Sequence, residues 1–372
     1  MEYVMWGAIM AAVLSAVVAG FVYLNGRILK ISRINNCFSK IAKGRKWLMR
    51  LLSLGVVVIF IALISIVWSI TNAFVILIHL TLFWAVCDGI MCVVARIRGR
   101  QWKRYYVPAI AVFITIVYLG GGYYYANHVF RTDYEITTEK EVGDLTIVQI
   151  TDSHIGTLFD GDGFMEYIEE INQIHPDIVV VTGDFVDDST TRTAMEKSCE
   201  ALGALNAKYG VYYVYGNHDK GYNGSERGFT ARDLNDELEK NSVQVLEDES
   251  ILVDDRFYVI GRQDRQETQR ADMDTLVNDL DQSKYMIVLD HQPGDYDAQM
   301  EAGVDLVLSG HTHGGQFWPI NNLGEWIHAN CMTYGHEKRE NTDFIVSSGI
   351  ADWDLKFRTG CISEYVVIHV TG

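Results

Sequence analysis

Four long apolar stretches, 4–24, 48–68, 73–95 and 106–125, fill the first third of the chain. About 20 consecutive apolar residues are needed for a helix to cross the hydrocarbon core of a bilayer, and soluble core helices rarely keep such runs. The spacing predicts a four-helix transmembrane module over 1–126, a short polar connector over 127–143 and a separate domain over 144–372. The first stretch is a poor secretory signal, because Met1, Glu2 and Tyr3 place no basic residue ahead of it.

Charge divides the chain at the same place. Residues 1–130 carry 13 Lys and Arg against two acids, Glu2 and Asp88, for a net +11; the remainder carries 18 basic and 46 acidic residues, for −28. Such asymmetry separates a membrane part from a water-facing part. An acidic domain is a poor match for nucleic acid, whose binding rests on Lys and Arg meeting phosphates. The loops predict an orientation. Loop one holds Arg27, Lys30, Arg33, Lys40, Lys43, Arg45, Lys46 and Arg50; loop three holds Arg96, Arg98, Arg100, Lys103 and Arg104; loop two, 69–72, is uncharged. Positive loops stay in the cytoplasm, so both termini, and the acidic domain with them, are expected outside. Asp88 falls inside the third span, where an acid is a functional candidate by default. The plainer expectation is a partner on a neighbouring helix or among the interfacial arginines. His79 draws the same reading. Trp47, Trp102, Tyr105, Tyr106 and Tyr123 to Tyr125 suit the membrane interface.

The six cysteines include no CxxC pair, which argues against a structural zinc site. Buried free thiols are the expectation, with a Cys331–Cys361 disulfide as the alternative.

From residue 144 onward, β-rich runs alternate with amphipathic helical spacing. The runs are 145–150, 178–181, 211–215, 257–260, 286–289 and 305–308, followed by 344–347 and 364–370. Phe164, Ile168 and Ile171, then Met195, Cys199, Leu202 and Leu205, mark intervening helices, with another around 273–280. The class is α/β. Five runs end in polar clusters: Asp152 and His154; Asp184; Asn217, His218 and Asp219; His291; His311 and His313. Open α/β sheets build sites at the carboxyl ends of their strands, so these five ends point at one converging site. Gly183, Gly216 and Gly310 stand beside three of the clusters, where a sharp turn is needed. A single DxH or HxH means little, but five in order at strand ends are hard to read as structural residues.

This succession, DxH, GDxxD, GNHD, an isolated His and GHxH, resembles the calcineurin-like metallophosphoesterase superfamily. Asp290-His291-Gln292-Pro293, the GHTHGGQ run over 310–316, and Ser347-Ser348-Gly349 are closest to a bacterial membrane-associated subgroup. The resemblance implies a four-layer αββα sandwich holding two divalent metal ions, with manganese favoured and iron or zinc as alternatives. Asp152, His154 and His313 would hold the first ion and Asn217, His291 and His311 the second, with Asp184 bridging them. The chemistry is coherent: a carboxylate has two oxygens and can bridge, imidazoles and an amide oxygen are neutral terminal ligands, and mixed N and O donors suit such metals better than magnesium or calcium. Two close dications stabilise attacking and leaving oxygens and acidify a bound water. His218 would act on the transferring group, with Asp219 orienting it, Asp187 giving structural support and Arg358 contacting substrate phosphate. The role of Gly261-Arg262-Gln263-Asp264, also similar to a subgroup motif, does not follow from the resemblance. The implied activity is hydrolysis of a phosphate ester or pyrophosphate bond by a metal-bound hydroxide, on a lipid-linked or cell-envelope substrate. A non-catalytic sensory ectodomain is the alternative, and degenerate ligand positions would be its mark. A cytoplasmic nucleotide phosphatase would require the opposite topology.

Overall fold

The computed structural model describes every residue except Met1, Gln101, Lys103 and 222–226, so Met1 and Lys103 of the reading above lie outside the described residues. The chain forms two units, Met1–Gly122 and Tyr123–Gly372.

The first unit is helical: α1 (Glu2–Ile28), α2 (Ser32–Ile41), α3 (Lys46–Val67), α4 (Ile70–Ile97) and α5 (Val107–Asn127), whose last turn belongs to the second unit. All but α2 are long and apolar enough to cross a membrane. Val17, Leu24, Val57, Ile61, Leu77 and Trp84 form the interior of the bundle. Gly20 lets α1 approach α4 closely, since a Cβ there would press on Thr81 and Leu77. Outward-facing apolar side chains such as Val22, Leu63 and Phe113 are exposed, as lipid-facing residues are. Asp88 is paired across helices. Arg27 Nε lies 2.8 Å from its carboxylate, and Tyr23 and Tyr105 donate to it at 2.7 and 2.9 Å. His79 Nδ1 lies 2.8 Å from the carbonyl of Val75, one turn back, a local structural bond.

In the second unit the strands are β1 (Val129–Thr137), β2 (Leu145–Ile150), β3 (Ile178–Thr182), β4 (Val211–Val214), β5 (Val243–Val245), β6 (Glu249–Val253), β7 (Phe257–Gly261), β8 (Tyr285–Leu289), β9 (Leu306–Ser309), β10 (Gly335–Arg339), β11 (Thr342–Val346) and β12 (Ser363–Thr371). They make two six-stranded mixed sheets, ordered β1-β12-β2-β3-β4-β5 and β10-β11-β9-β8-β7-β6. The helices are α6 (Gly161–Asn172), α7 (Arg192–Gly203), α8 (Ala231–Lys240), α9 (Met273–Val277), α10 (Tyr296–Glu301) and α11 (Leu323–Trp326). The sheets face each other through Ile147, Val180, Val259, Ile287, Leu308 and Ile345. α6, α7 and α8 cover the first sheet with Phe164, Ile168, Met195, Cys199, Leu234 and Leu238. α9 and α10 cover the second through Met273, Val277 and Tyr296. The result is a four-layer αββα sandwich. Central strands covered on both faces are mostly apolar along their length, which is why β3, β8 and β9 read as short apolar runs and β2 as one interrupted by Thr146 and Gln149.

Residues 127–143, expected as a connector, contain the edge strand β1. It runs parallel to β12, in register from Val129 opposite Ser363 to Thr137 opposite Thr371. Its polar look comes from partial exposure at a sheet edge, where alternate residues meet water. The cysteines are all free, so the Cys331–Cys361 disulfide does not form.

Candidate metal centre

β2, β3 and β4 are adjacent and parallel in one sheet, and β8 and β9 in the other. Their carboxyl ends therefore open at one edge of the sandwich. Gln149 ties the two edges together, donating to Thr182 Oγ1 and to the Ser309 carbonyl, both at 2.9 Å. Past each strand end the backbone turns sharply. Asp152, His154, Asp184, His311 and His313 all have positive φ, from 38° to 69°. Few non-glycine residues adopt this region, and several together at one site mark a backbone held by its surroundings. Cross-strand bonds hold it here: Asp152 N–H to Gly183 O and His154 N–H to Asp184 O, both 3.0 Å, and Gly310 N–H to His291 O, 2.9 Å. Gly183 combines a positive φ with a close approach of its neighbours. Its φ is +88°, and a Cβ would lie 2.6 Å from Gly216 N and 2.7 Å from His291 Nδ1.

Three sets of side chains each bring donor atoms within 4.8 Å of one another; one of them, His154, Asp187 and His218, joins a predicted ligand to the His218–Asp187 pair, and the other two consist of predicted ligands alone. Those two are Asp152, His154 and His313, and Asp184, His291 and His311. They adjoin at Asp184, whose Oδ2 lies 3.1 Å from His291 Nε2 and 3.9 Å from His154 Nε2. Asn217 Oδ1 is buried and accepts no hydrogen bond among the described residues. The tautomers make the crowding informative. His291 Nδ1 is 2.8 Å from the Thr182 carbonyl and donates to it, so Nε2 is the nitrogen turned toward the Asp184 carboxylate. His154 Nε2 and His313 Nε2 meet at 3.3 Å, with Asp152 Oδ1 3.6 Å from the latter. Lone pairs facing lone pairs repel unless a proton or a cation lies between them. Burial pushes the His154 and His311 imidazoles down to about 4, so both are neutral donors at physiological pH. Burial works against the Asp184 charge, but the His291, His154 and His218 imidazoles outweigh it and hold the carboxyl well below the usual range. Imidazole nitrogens, carboxylates and an amide oxygen that accepts no hydrogen bond among the described residues fit a dinuclear divalent metal site.

The neighbouring residues correct three expectations. Asp219 does not orient the His218 ring. Its carboxylate accepts four backbone N–H groups, from Asp184, Phe185, Val186 and Gly216, at 2.7 to 3.1 Å, and so fixes the turns carrying Asp184 and Asn217. Asp187 takes the role instead, with Oδ1 3.2 Å from His218 Nδ1. Burial opposes a charge on His218, but the bond to Asp187 and the charges of Asp184 and Asp187 prevail and push its pKa up to about 9. Arg358 is wholly buried and does not present itself to substrate. It donates to Asp352 and to the carbonyls of Gly349, Ile362 and Ala351. Asp352 in turn lies 3.4 Å from His313 Nδ1, so Arg358 braces a carboxylate that orients this histidine. Sequence reasoning also missed the support behind His291. Arg262, from the unexplained motif, and Arg270 both donate to Asp290, at 3.2 and 2.6 Å, while Asp264 accepts from Gln292 at 2.9 Å. The arginine beside β7 was the available signal, but nothing in the order of residues says which acid it meets.

Residues 145–315 match the family model described as calcineurin-like phosphoesterase. An uncharacterised metallophosphoesterase of Bacillus subtilis, YkuE, is 30% identical over 213 residues, covering 53% of this chain and 71% of its own. The chain belongs to the calcineurin-like metallophosphoesterase family. It is accordingly a phosphoesterase, a hydrolase of a family that uses dinuclear divalent metal sites. An uncharacterised metallophosphoesterase of Campylobacter jejuni is 29% identical over 313 residues, covering 80% of this chain and 78% of its own. A protein of Danio rerio described as a transmembrane protein with metallophosphoesterase domain is 26% identical over 250 residues, covering 62% of this chain and 55% of its own.

The His218–Asp187 pair makes a direct prediction. In metal-free protein with labelled histidines, NMR titration will show the His218 ring keeping its proton to about pH 9. Asp187→Asn will bring that titration down toward the ordinary histidine range. An identical titration in the variant would show that Asp187 does not hold the proton.

Proposed function

We propose that the chain is a membrane-tethered phosphoesterase whose site faces away from the cytoplasm and cleaves a phosphate ester or pyrophosphate bond of a lipid-linked or envelope substrate. The observation that carries the reading is the meeting of Asp184 with two sets of buried donors that only positive charge reconciles. Asp152, His154 and His313 would hold one divalent ion and Asn217, His291 and His311 the other, with Asp184 shared between them. Manganese is the favoured metal, with iron or zinc as alternatives, on the mixed N and O donor set. When bound, the ions supply Lewis-acid stabilisation of the phosphoryl oxygens and acidify the attacking water.

The protein's own groups do the rest. His218, kept protonated by Asp187, donates to the phosphoryl or leaving oxygen. Asp219 fixes the backbone of two ligand turns, so that the donors are in place before substrate arrives. Arg358 and Asp352 hold the His313 ring. The lipid-linked substrate class is supported by the four apolar spans of the same chain, because tethering raises the local concentration of membrane-resident substrates. The outward orientation is supported by the basic loops one and three and the uncharged loop two.

Asp184→Asn keeps the shape of the bridging residue and removes its charge. With manganese supplied, it will lower turnover of a generic phosphodiester or monoester by roughly 100-fold or more, of the order lost when a main electrostatic contact to the reacting group is removed. Full activity in that variant would refute the bridging role. Orientation is checked separately: protease added to intact cells will remove the domain after α5, and complete protection would reverse the topology.

A further inference from the structure

A second anion site lies in the helical unit, far in sequence from the metal ligands. A cavity of about 1070 Å³ opens where the last turns of α1 and α4 meet the start of α2 and the first turn of α5. Five cations line it: Arg27, Lys30, Arg33, Arg96 and Arg104. Asp88 is the single acid in residues 7–122, and it is already taken. Arg27, Tyr23 and Tyr105 occupy its two oxygens, and Trp84 donates to Tyr105 Oη at 2.8 Å, which locks the wall of the cavity. Among the described residues no carboxylate pairs with Lys30, Arg33, Arg96 or Arg104. Four positive charges therefore face one cavity without compensation.

Two further observations suit an anion there. Ser32 and Arg33 open α2 into the cavity, and its N-cap, Ile31, has no side chain that can accept from the first-turn amides. The cavity is also flanked by Trp102, Tyr105 and Tyr106, residues of the kind found at headgroup depth. Its position, at the ends of three apolar spans on one side of the bundle, is the depth of a lipid phosphate in the adjacent leaflet.

We propose that this cavity binds the headgroup phosphate of an anionic phospholipid, with Arg33, Arg96 and Arg104 contacting the phosphate and Asp88 positioning Arg27 beside it. Arg is suited to this contact because its planar fork meets phosphate oxygens in pairs. Basic pockets between membrane helices take such headgroups, and the site needs no metal and no part of the phosphoesterase chemistry.

The test uses the full chain, delipidated in neutral detergent, with lipid retention read by native mass spectrometry. Phosphatidylglycerol will be retained at least ten-fold more tightly than phosphatidylcholine. Arg33→Gln combined with Arg104→Gln will lower phosphatidylglycerol retention at least ten-fold, with helix content and hydrolysis of a soluble ester unchanged. The control, Arg45→Gln with Arg50→Gln, removes the same charge outside the cavity lining and will leave retention unchanged. Equal retention of the two lipids, or an equal loss in both double variants, would overturn the site in favour of general surface charge. Displacement of phosphatidylglycerol by inorganic phosphate at matching concentration would overturn the lipid as the ligand.

Discussion

Asp184 sits among imidazoles whose ring nitrogens are turned toward it, in a pocket from which water is largely excluded. Its Oδ2 lies 3.1 Å from His291 Nε2, while the His291 Nδ1–H is committed to the Thr182 carbonyl. Its Oδ1 accepts the backbone N–H of His218 at 2.8 Å. Burying a charge without compensation is costly, and a carboxylate this close to ring nitrogens needs a proton or a cation between them. The arrangement is tolerable only if positive charge belongs at its centre. Much of the second unit is organised around keeping it in place. The two sheets meet so that five strand ends share one edge, and Asp219 uses its whole carboxylate to clamp the turns at 184–186 and 216. Second layers behind His291 and His313 fix the rings through Thr182, Asp290, Asp352 and Arg358.

The sequence exposed the ligand-bearing strand ends because buried parallel strands are unmistakable apolar runs and the polar clusters follow them directly. The doubling of layers came with the motif resemblance; which strands pair did not, since periodicity alone does not say it. Elements with mixed exposure were harder. β1, at an edge, was read as linker; α8 was overlooked although Thr230 and Asp233 form a capping box at its start. The site residues that were misjudged share a cause. Asp219 and Asp187 are both acids near His218 in the folded chain, and adjacency in sequence favoured Asp219, whereas the fold aims it at backbone amides and brings Asp187 to the ring. Arg358 was expected on substrate phosphate, and nothing in its sequence position says that it is buried, yet three carbonyls and Asp352 satisfy it in the interior.

The helical unit obeys a different solvent. Many side chains exposed along its spans are apolar, and Asp88 lies with five cations at one end of the bundle. Asp88, a functional candidate by position, is a structural hub there, joining α1 and α4 to Tyr105 ahead of α5. Asp88 neutralises Arg27, and among the described residues no carboxylate pairs with Lys30, Arg33, Arg96 or Arg104. The chain thus carries two phosphate-directed chemistries of different kinds. One is built from carboxylates and imidazoles for metal ions, the other from guanidinium and ammonium groups.

The central claim is that the two donor sets are two metal positions sharing Asp184. Anomalous diffraction from crystals of the manganese-loaded protein tests it most directly. The account predicts two peaks about 3.5–4 Å apart, the separation typical of two-metal sites. One would lie among Asp152, His154 and His313, the other among Asn217, His291 and His311, with an Asp184 oxygen reaching both. A single peak, or one held by His154, Asp187 and His218, would contradict it.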